Sequence, residues 1–240
     1  MTGALLAGRR AVVTGATRGI GRAIAARLRD DGAEVLVTGT SPDGSGPEGC
    51  AYHPVDFTDL ASTRAFCRAV EAFAPLVLVN NAGVSKPEAF AEISAEEFQR
   101  VQDINLRGTL MTTQAALPSM RTAGWGRIVS LGSIRQQISL PGRASYSAAK
   151  AGVDGLTIGL AAEVAKDGIL ANVVAPGFID TEMTASMYSP DQIAALAASI
   201  PIGRLAKPEE IAAFVAWLAG PENTYISGQS LFIDGGITRV

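Results

Sequence analysis

Tyr146 and Lys150, in the run Tyr146-Ser147-Ala148-Ala149-Lys150, stand four residues apart. That spacing puts two side chains on one face of a helix. A free phenol titrates near ~10 and is a poor acid or base at neutral pH. A nearby ammonium group favours the phenolate and lowers that value. The pair is therefore suited to exchanging a proton with a carbonyl or alcohol oxygen. A surface helix with one Tyr and one Lys is common, so the meaning of the pair depends on the motifs around it.

The stretch Thr14-Gly15-Ala16-Thr17-Arg18-Gly19-Ile20-Gly21 follows the apolar run Ala11-Val12-Val13 and opens a helical segment. Glycines let such a turn tighten and let backbone N–H groups approach a pyrophosphate at a helix N-terminus. The spacing is Gly-x-x-x-Gly-x-Gly rather than Gly-x-Gly-x-x-Gly, but strand, turn and helix come in the order a nucleotide site requires. An acidic residue at the end of the second strand would bind a ribose 2′-hydroxyl and disfavour a 2′-phosphate. This chain has Thr38-Gly39-Thr40-Ser41 there, with no carboxylate before Asp43. Arg18, inside the turn, can pair with a phosphate. Both features favour NADPH over NADH; a solvated loop arginine is the alternative for Arg18. Asp56, just after the third strand, is placed to accept from an adenine amino group. Its alternative is a helix N-terminal residue, since Thr58 and Asp59 begin a helix.

These motifs need elements to hold them. Short β-type runs alternate with helical ones: strands are expected at Ala11–Val13, Glu34–Thr38, Ala51–Val55, Leu76–Val79, Ile128–Leu131, Ala171–Val174 and Leu231–Ile233. Helices fill the gaps at about Ile20–Arg29, Ala61–Phe73, Ala95–Met120, Ser145–Ala165 and Glu209–Leu218. Alternation of this kind predicts an α/β fold, a doubly wound seven-stranded parallel sheet of Rossmann type with helices on both faces. No repeat or linker divides residues 1–240, which read as one domain. Between the second and third strands, Ser41-Pro42-Asp43-Gly44-Ser45-Gly46-Pro47-Glu48-Gly49 cannot form the usual crossover helix. A helix-free loop is expected there, near the adenosine end of the cofactor or as a neutral shortening on a solvent edge.

The bulk composition excludes several classes. Of 240 residues, 48% are hydrophobic and 18% charged, which suits a buried parallel sheet in a soluble protein. The net charge of −3 and the lack of a basic block disfavour nucleic-acid binding. Cys50, Cys67 and the single histidine, His53, have no metal-ligand spacing and cannot supply a Ser-His-Asp triad, so no metal site is expected. Two lone cysteines suit a reducing, cytoplasmic setting. The apolar run Ala4-Leu5-Leu6-Ala7 is too short for a signal peptide, and no apolar stretch reaches membrane-spanning length.

The Tyr-Lys pair, the glycine turn, Asn80-Asn81-Ala82-Gly83 after the fourth strand and Ser133 after the fifth together make the chain resemble the short-chain dehydrogenase/reductase family. The likeness covers essentially the whole chain. The C-terminal third is most similar to the 3-oxoacyl-acyl-carrier-protein reductases, through Asn172-Val173-Val174-Ala175-Pro176-Gly177-Phe178-Ile179, Ile200-Pro201-Ile202-Gly203-Arg204-Leu205, Tyr225-Ile226-Ser227-Gly228 and Asp234-Gly235-Gly236. The resemblance implies a ketoreductase, with oxidation of a sugar or other secondary alcohol as the alternative. It implies that Tyr146 passes the proton, that Lys150 lowers the Tyr146 pKa and holds the nicotinamide ribose, and that Ser133 bonds the substrate oxygen. Asn105 would hold a water linking Lys150 to solvent; a mid-helix polar residue with a local bond is its alternative. Around the cofactor the resemblance places Gly15, Thr17, Arg18, Gly19, Ile20 and Gly21 from the turn, and Thr38, Thr40, Asp56 and Phe57 beyond it. It adds Asn81, Ala82, Gly83, Tyr146 and Lys150, then Pro176, Gly177, Ile179 and Thr181.

Departures from the family pattern bear on the substrate. Ile134-Arg135-Gln136-Gln137-Ile138 follows Ser133, where carrier-protein reductases have small neutral residues. Arg135 and Gln136 suggest a polar or anionic small ketone or a sugar-like substrate, unless Arg135 faces solvent. An acidic acyl carrier protein needs basic surface; here only Arg121 and Arg127 stand near Trp125, and Asp167 follows Lys166, so such a partner is in doubt. Asp180–Ile202, with Met183, Met187 and Tyr188, is expected to form a lid or a simply packed helix at Gln192–Ile200. Small residues Ala148, Ala149, Ala151, Gly152 and Gly155 suggest, with the resemblance, a homodimer or homotetramer.

Overall fold

The computed structural model describes residues 5–240; Ala4 of the N-terminal apolar run lies outside them. Seven strands form one parallel sheet: β1 (Arg10–Val13), β2 (Glu34–Gly39), β3 (Ala51–Pro54), β4 (Val77–Asn80), β5 (Gly126–Leu131), β6 (Ile169–Pro176) and β7 (Ser230–Ile233). Their order is β3-β2-β1-β4-β5-β6-β7. Register pairs Val12 with Leu36 on one side and with Leu78 on the other. The chain winds outward from β1 in one direction, then from β4 in the other. The turns leaving these two strands diverge and open a crevice at the carboxyl edge of the sheet.

β4 and β5 are buried along their whole length, as runs such as Val77-Leu78-Val79 and Ile128-Val129 require when helices cover both faces. Period-two alternation sorts the strand residues. Val13, Val37, Val79, Val129 and Leu131 face α1 (Gly19–Asp30) and α8 (Pro208–Leu218) through Ile24, Leu28, Ile211 and Val215. Val12, Leu36, Leu78 and Ile128 face α2 (Leu60–Phe73), α4 (Gly108–Ala123) and α5 (Ala144–Val164) through Phe66, Val70, Met120 and Val164.

Residues 40–50 contain no helix, as expected. The loop is held by side chains from outside it: Tyr52 donates to Ser41 O at 2.5 Å, and the Arg29 guanidinium donates to Glu48 O.

The expected helix Ala95–Met120 is not uniform. It is divided into α3 (Ala95–Gln102) and α4 by a widened π turn, Asp103–Arg107, and it runs on to Ala123, where Gly124 closes it at φ 60°. Single π turns inside α-helices often mark functional positions, and Asn105 lies within this one. Downstream of β6, α6 (Glu182–Met187) and α7 (Pro190–Ser199) occupy the segment expected to cover the pocket. Each is capped by its own side chain, Thr181 and Ser189 respectively.

Candidate active site

The carboxyl ends of β1, β4, β5 and β6 deliver Gly15, Asn81, Ser133 and Gly177 to one cleft of about 580 Å³. Every residue named above for the cofactor lines this cleft, from Gly15 to Thr181, together with Ser133, Arg135, Tyr146 and Lys150. Asn105 and Gln136 do not line it.

The glycine turn is locked to the end of β4. Thr14 Oγ1 accepts from the N–H groups of Asn81 and Ala82, each at 3.0 Å. Asn81 Nδ2 donates to Thr14 O at 3.0 Å and to Gly15 O at 2.8 Å. Thr38 Oγ1 accepts from Gly15 N at 3.0 Å, which ties β2 into the same turn. Gly15 has φ 64°, and a Cβ there would sit 2.8 Å from Ala82 Cα, so no larger residue fits.

The start of α1 fits a pyrophosphate. Its N-cap, Arg18, has extended backbone and makes no capping bond, and no acidic residue stands in the first turn. By contrast, α2 and α3 are capped by Asp59 and Ser94. The unpartnered N–H groups of α1 therefore open on the cleft with the positive end of the helix dipole behind them. Arg18 reaches across the mouth to Glu182, 3.7 Å away. Both are well exposed, a weak pairing that an anion can displace. Thr40, Ser41 and Ser45 line the adenosine end without a carboxylate. Asp56 accepts from Thr58 N and Oγ1 through Oδ1, which holds its carboxyl below the ordinary range.

At the other end, α5 begins at Ala144, so Tyr146 lies in its first turn and Lys150 one turn later. Lys150 is 4% exposed, and its ammonium donates to Leu131 O at 2.6 Å. Burial lowers its pKa to about 8. Burial also raises the Tyr146 phenol, while Ser133 and the charges of Arg135 and Arg143 pull it back. Both arginines thus act on the phenol. Lys150 Nζ lies 5.6 Å from the Tyr146 ring centre. Ser133, in extended backbone at the end of β5, accepts from Arg135 N at 3.2 Å through its Oγ.

The surroundings of Asn105, Gln136 and Arg135 sharpen the sequence reading. Asn105 makes no local helix bond through its side chain: its Oδ1 accepts from Val84 N at 2.8 Å and its Nδ2 donates to Val84 O at 2.9 Å, which leaves the amide one further lone pair and one further N–H. It is still beside Lys150, since a Cβ on Gly83 would lie 3.2 Å from Asn105 Oδ1 and 3.6 Å from Lys150 Nζ. Gln136 is turned away from substrate: its Oε1 accepts from Ser133 N at 3.2 Å, and its Nε2 donates to Ser230 Oγ at 2.6 Å. Arg135 does not face solvent; it is 9% exposed, with its guanidinium 5.1 Å from the Phe178 ring centre. Arg143, absent from the sequence assignment, joins it in the cleft. Its position three residues before Tyr146, at the N-cap of α5, is the signal that could have found it.

The family model described as enoyl-(acyl carrier protein) reductase matches residues 15–238. The chain belongs to the short-chain dehydrogenase/reductase family. Among members of this family, the 3-oxoacyl-[acyl-carrier-protein] reductase of Vibrio cholerae is 40% identical over 244 residues, covering 98% of this chain and 99% of that protein. Among solved members, a candidate NAD(P)-dependent gluconate 5-dehydrogenase from Beutenbergia cavernae, with bound NADP, superposes with TM-score 0.91 at 34% identity, covering 98% of both chains. A gluconate 5-dehydrogenase from Burkholderia cenocepacia, solved with NADP and tartrate, superposes with TM-score 0.90 at 29% identity, covering 98% of this chain and 97% of the other.

Proposed function

We propose that this short-chain dehydrogenase/reductase reduces a ketone to a secondary alcohol with NADPH. The observation that carries this reading is the convergence of Ser133, Tyr146 and Lys150 at one end of a cleft whose other end has an uncapped helix N-terminus and no carboxylate at the close of β2. Bound in that cleft, NADPH supplies the hydride. The α1 N–H groups and Arg18 would hold its phosphates, and Thr38, Thr40 and Asp56 would border the adenosine. Asn81, Ala82 and Gly83 would flank the middle, with Pro176, Gly177, Ile179 and Thr181 towards the nicotinamide.

The chain's own residues handle the proton. The Ser133 hydroxyl donates to the substrate oxygen and stabilises its developing charge. Tyr146, kept protonated by burial, delivers its proton to that oxygen. Lys150, fixed by Leu131 O, supplies the charge that steadies the resulting phenolate. Asn105 acts as a positioning residue by anchoring Val84 beside them.

A second reading, oxidation of a polar secondary alcohol, is favoured by the gluconate 5-dehydrogenases among the solved relatives, one of them with tartrate. Carrier-protein delivery, suggested by the names of the curated relatives, finds no free charge at the two arginines near Trp125. Arg121 is paired with Asp167 at 2.9 Å, and Arg127 is buried against Trp125 with a bond to Asn223 O. Ala148, Ala151 and Gly155 lie exposed near Leu156 and Ile158 on α5, a surface that supports assembly as a homodimer or homotetramer. The free thiols Cys50 and Cys67 suit a cytoplasmic setting.

The deciding experiment follows NADPH consumption against acetoacetyl thioesters, α- and β-keto acids and keto sugars, with Tyr146→Phe as the blank. Turnover by the wild type alone supports the mechanism; turnover surviving in Tyr146→Phe overturns it.

A further inference from the structure

Arg135 and Arg143 are buried arginines with no carboxylate to neutralise them. They are 9% and 8% exposed, and both line the cleft beside Tyr146. Among the described residues neither enters an ion pair, whereas Arg107, Arg121 and Arg204 each find a carboxylate. Arg143 is fixed by neutral groups only. Its Nη1 donates to Ser85 Oγ at 2.8 Å and contacts Met187 Sδ at 3.2 Å, and its Nη2 donates to Tyr188 Oη at 3.2 Å. The Arg135 guanidinium lies over Phe178 and donates to no protein acceptor among the described residues.

This arrangement is costly unless something else completes it. A buried charge without a partner loses its hydration and receives nothing in exchange. A second like charge also acts here: Arg143 adds to the effect of burial in lowering the Arg135 pKa. Nearby carboxylates are few. Glu182, at the head of α6, is occupied with Arg18 at the mouth of the cleft. An anion seated between the two guanidiniums would remove the repulsion and accept from both forks. The reacting carbon must lie next to Ser133 and Tyr146, so the anion is carried by the substrate itself.

We propose that Arg135 and Arg143 form a clamp for a carboxylate on the substrate, which makes the preferred substrates keto acids and the corresponding hydroxy acids. The inference rests on the reductase reading above and adds the substrate class to it. Arg135 comes from the turn after β5, and Arg143 from the start of α5 with its guanidinium against Met187 and Tyr188 at the end of α6. A carboxylate held between them therefore binds the covering segment to the catalytic turn. In this way, the substrate's own charge closes the pocket over its carbonyl.

The test compares a keto acid, its methyl ester and the phosphate monoester of matching length as substrates of the wild-type enzyme with NADPH. Arg135→Gln, Arg143→Gln and the charge-preserving Arg143→Lys are measured beside it. A charge-assisted hydrogen bond is worth roughly 1.5–3 kcal/mol, or about 10- to 150-fold. The wild type should favour the acid over the ester by at least about tenfold in kcat/KM. Each Gln variant should lose at least about tenfold more on the acid than on the ester, mainly through KM, with Arg143→Lys between.

Equal losses on acid and ester, or a wild type that prefers the ester, would overturn the clamp and leave the reductase reading standing. A preference for the phosphate monoester would overturn the carboxylate assignment. If no ketone is reduced at all, the reductase reading fails, and the clamp is judged by binding. Titration of the NADP-bound protein with the hydroxy acid should raise Tm in the wild type and fail to do so in Arg135→Gln; no rise in the wild type overturns it. NADPH binding followed by fluorescence serves as the folding control for every variant.

Discussion

Asn105 grips Val84 with both ends of its amide, accepting its N–H at 2.8 Å and donating to its carbonyl at 2.9 Å. This grip spans the turn after β4, and the next residue, Ser85, accepts from Arg143. Asn105→Ala removes both bonds and should cost about 1–2 kcal/mol, read as a fall in Tm of about 2–4 °C per kcal/mol at this chain length. Asn105→Asp keeps the acceptor for Val84 N–H and sets a carboxylate beside Lys150, so it should raise the Lys150 pKa and move the alkaline limit of reduction upward. A Tm unchanged in the alanine variant would show that the grip contributes nothing.

Gly15 carries φ 64° and faces Ala82 Cα, which a Cβ would approach to 2.8 Å. Gly15→Ala therefore combines a left-handed backbone with a clash against rigid main chain. The conformational part alone is about 1–2 kcal/mol. Because the same turn is tied to Asn81 and Thr38, the variant should also weaken NADPH binding. Thermal melts together with fluorescence titration check both effects, and a variant as stable as the wild type with unchanged affinity contradicts the prediction.

The fold was readable because its signals are local. Val77-Leu78-Val79 and Ile128-Val129 are apolar on every residue, the mark of strands covered on both faces, and Pro42 and Pro47 rule out a helix before β3. What escaped depends on partners that a string of residues does not show. Asn105 is bound to main-chain atoms 21 residues away, and Gln136 is consumed by Ser230, 94 residues away. The π turn at Asp103–Arg107 uses residues that suit an ordinary helix equally well. Arg143 was in plain view, three residues before Tyr146, but only burial beside Arg135 gives it meaning.

Cofactor choice should turn on Thr40. It lines the adenosine end of the cleft with Ser41 and Ser45, and no carboxylate there opposes a 2′-phosphate. Thr40→Asp introduces one. The new charge repels the phosphate of NADPH and accepts from a free ribose 2′-hydroxyl. The ratio of kcat/KM for NADPH over NADH should fall by at least about tenfold. Arg18→Ala should move the ratio the same way by a smaller factor, since Arg18 is well exposed and shared with Glu182. A ratio unchanged in Thr40→Asp would remove β2 from the discrimination.

Reduction and oxidation should respond to pH with opposite signs. Lys150 is held near 8 by burial, below its ordinary 10.5, so it is charged below about pH 8 and neutral above. Burial raises the Tyr146 phenol, so it stays protonated through the same range. Reduction needs the phenol's proton and the neighbouring ammonium together. Its kcat/KM should therefore be level at low pH and fall above about pH 8, by about tenfold per unit for one ionisation. Oxidation needs the phenol to have lost its proton, which burial holds above its ordinary value, so its rate should climb only at pH values above those where reduction begins to decline. The sign for stability follows from the same shift. The folded state disfavours the Lys150 charge, so the cost is largest below about pH 8 and is relieved as pH rises toward 10.5. Lys150→Met removes the group: the alkaline fall near 8 should disappear from what activity remains, while Tm at pH 7 should not drop by the amount expected for losing a buried ion pair. A wild-type profile for reduction that stays flat to pH 10 would show that Lys150 does not titrate where its burial places it.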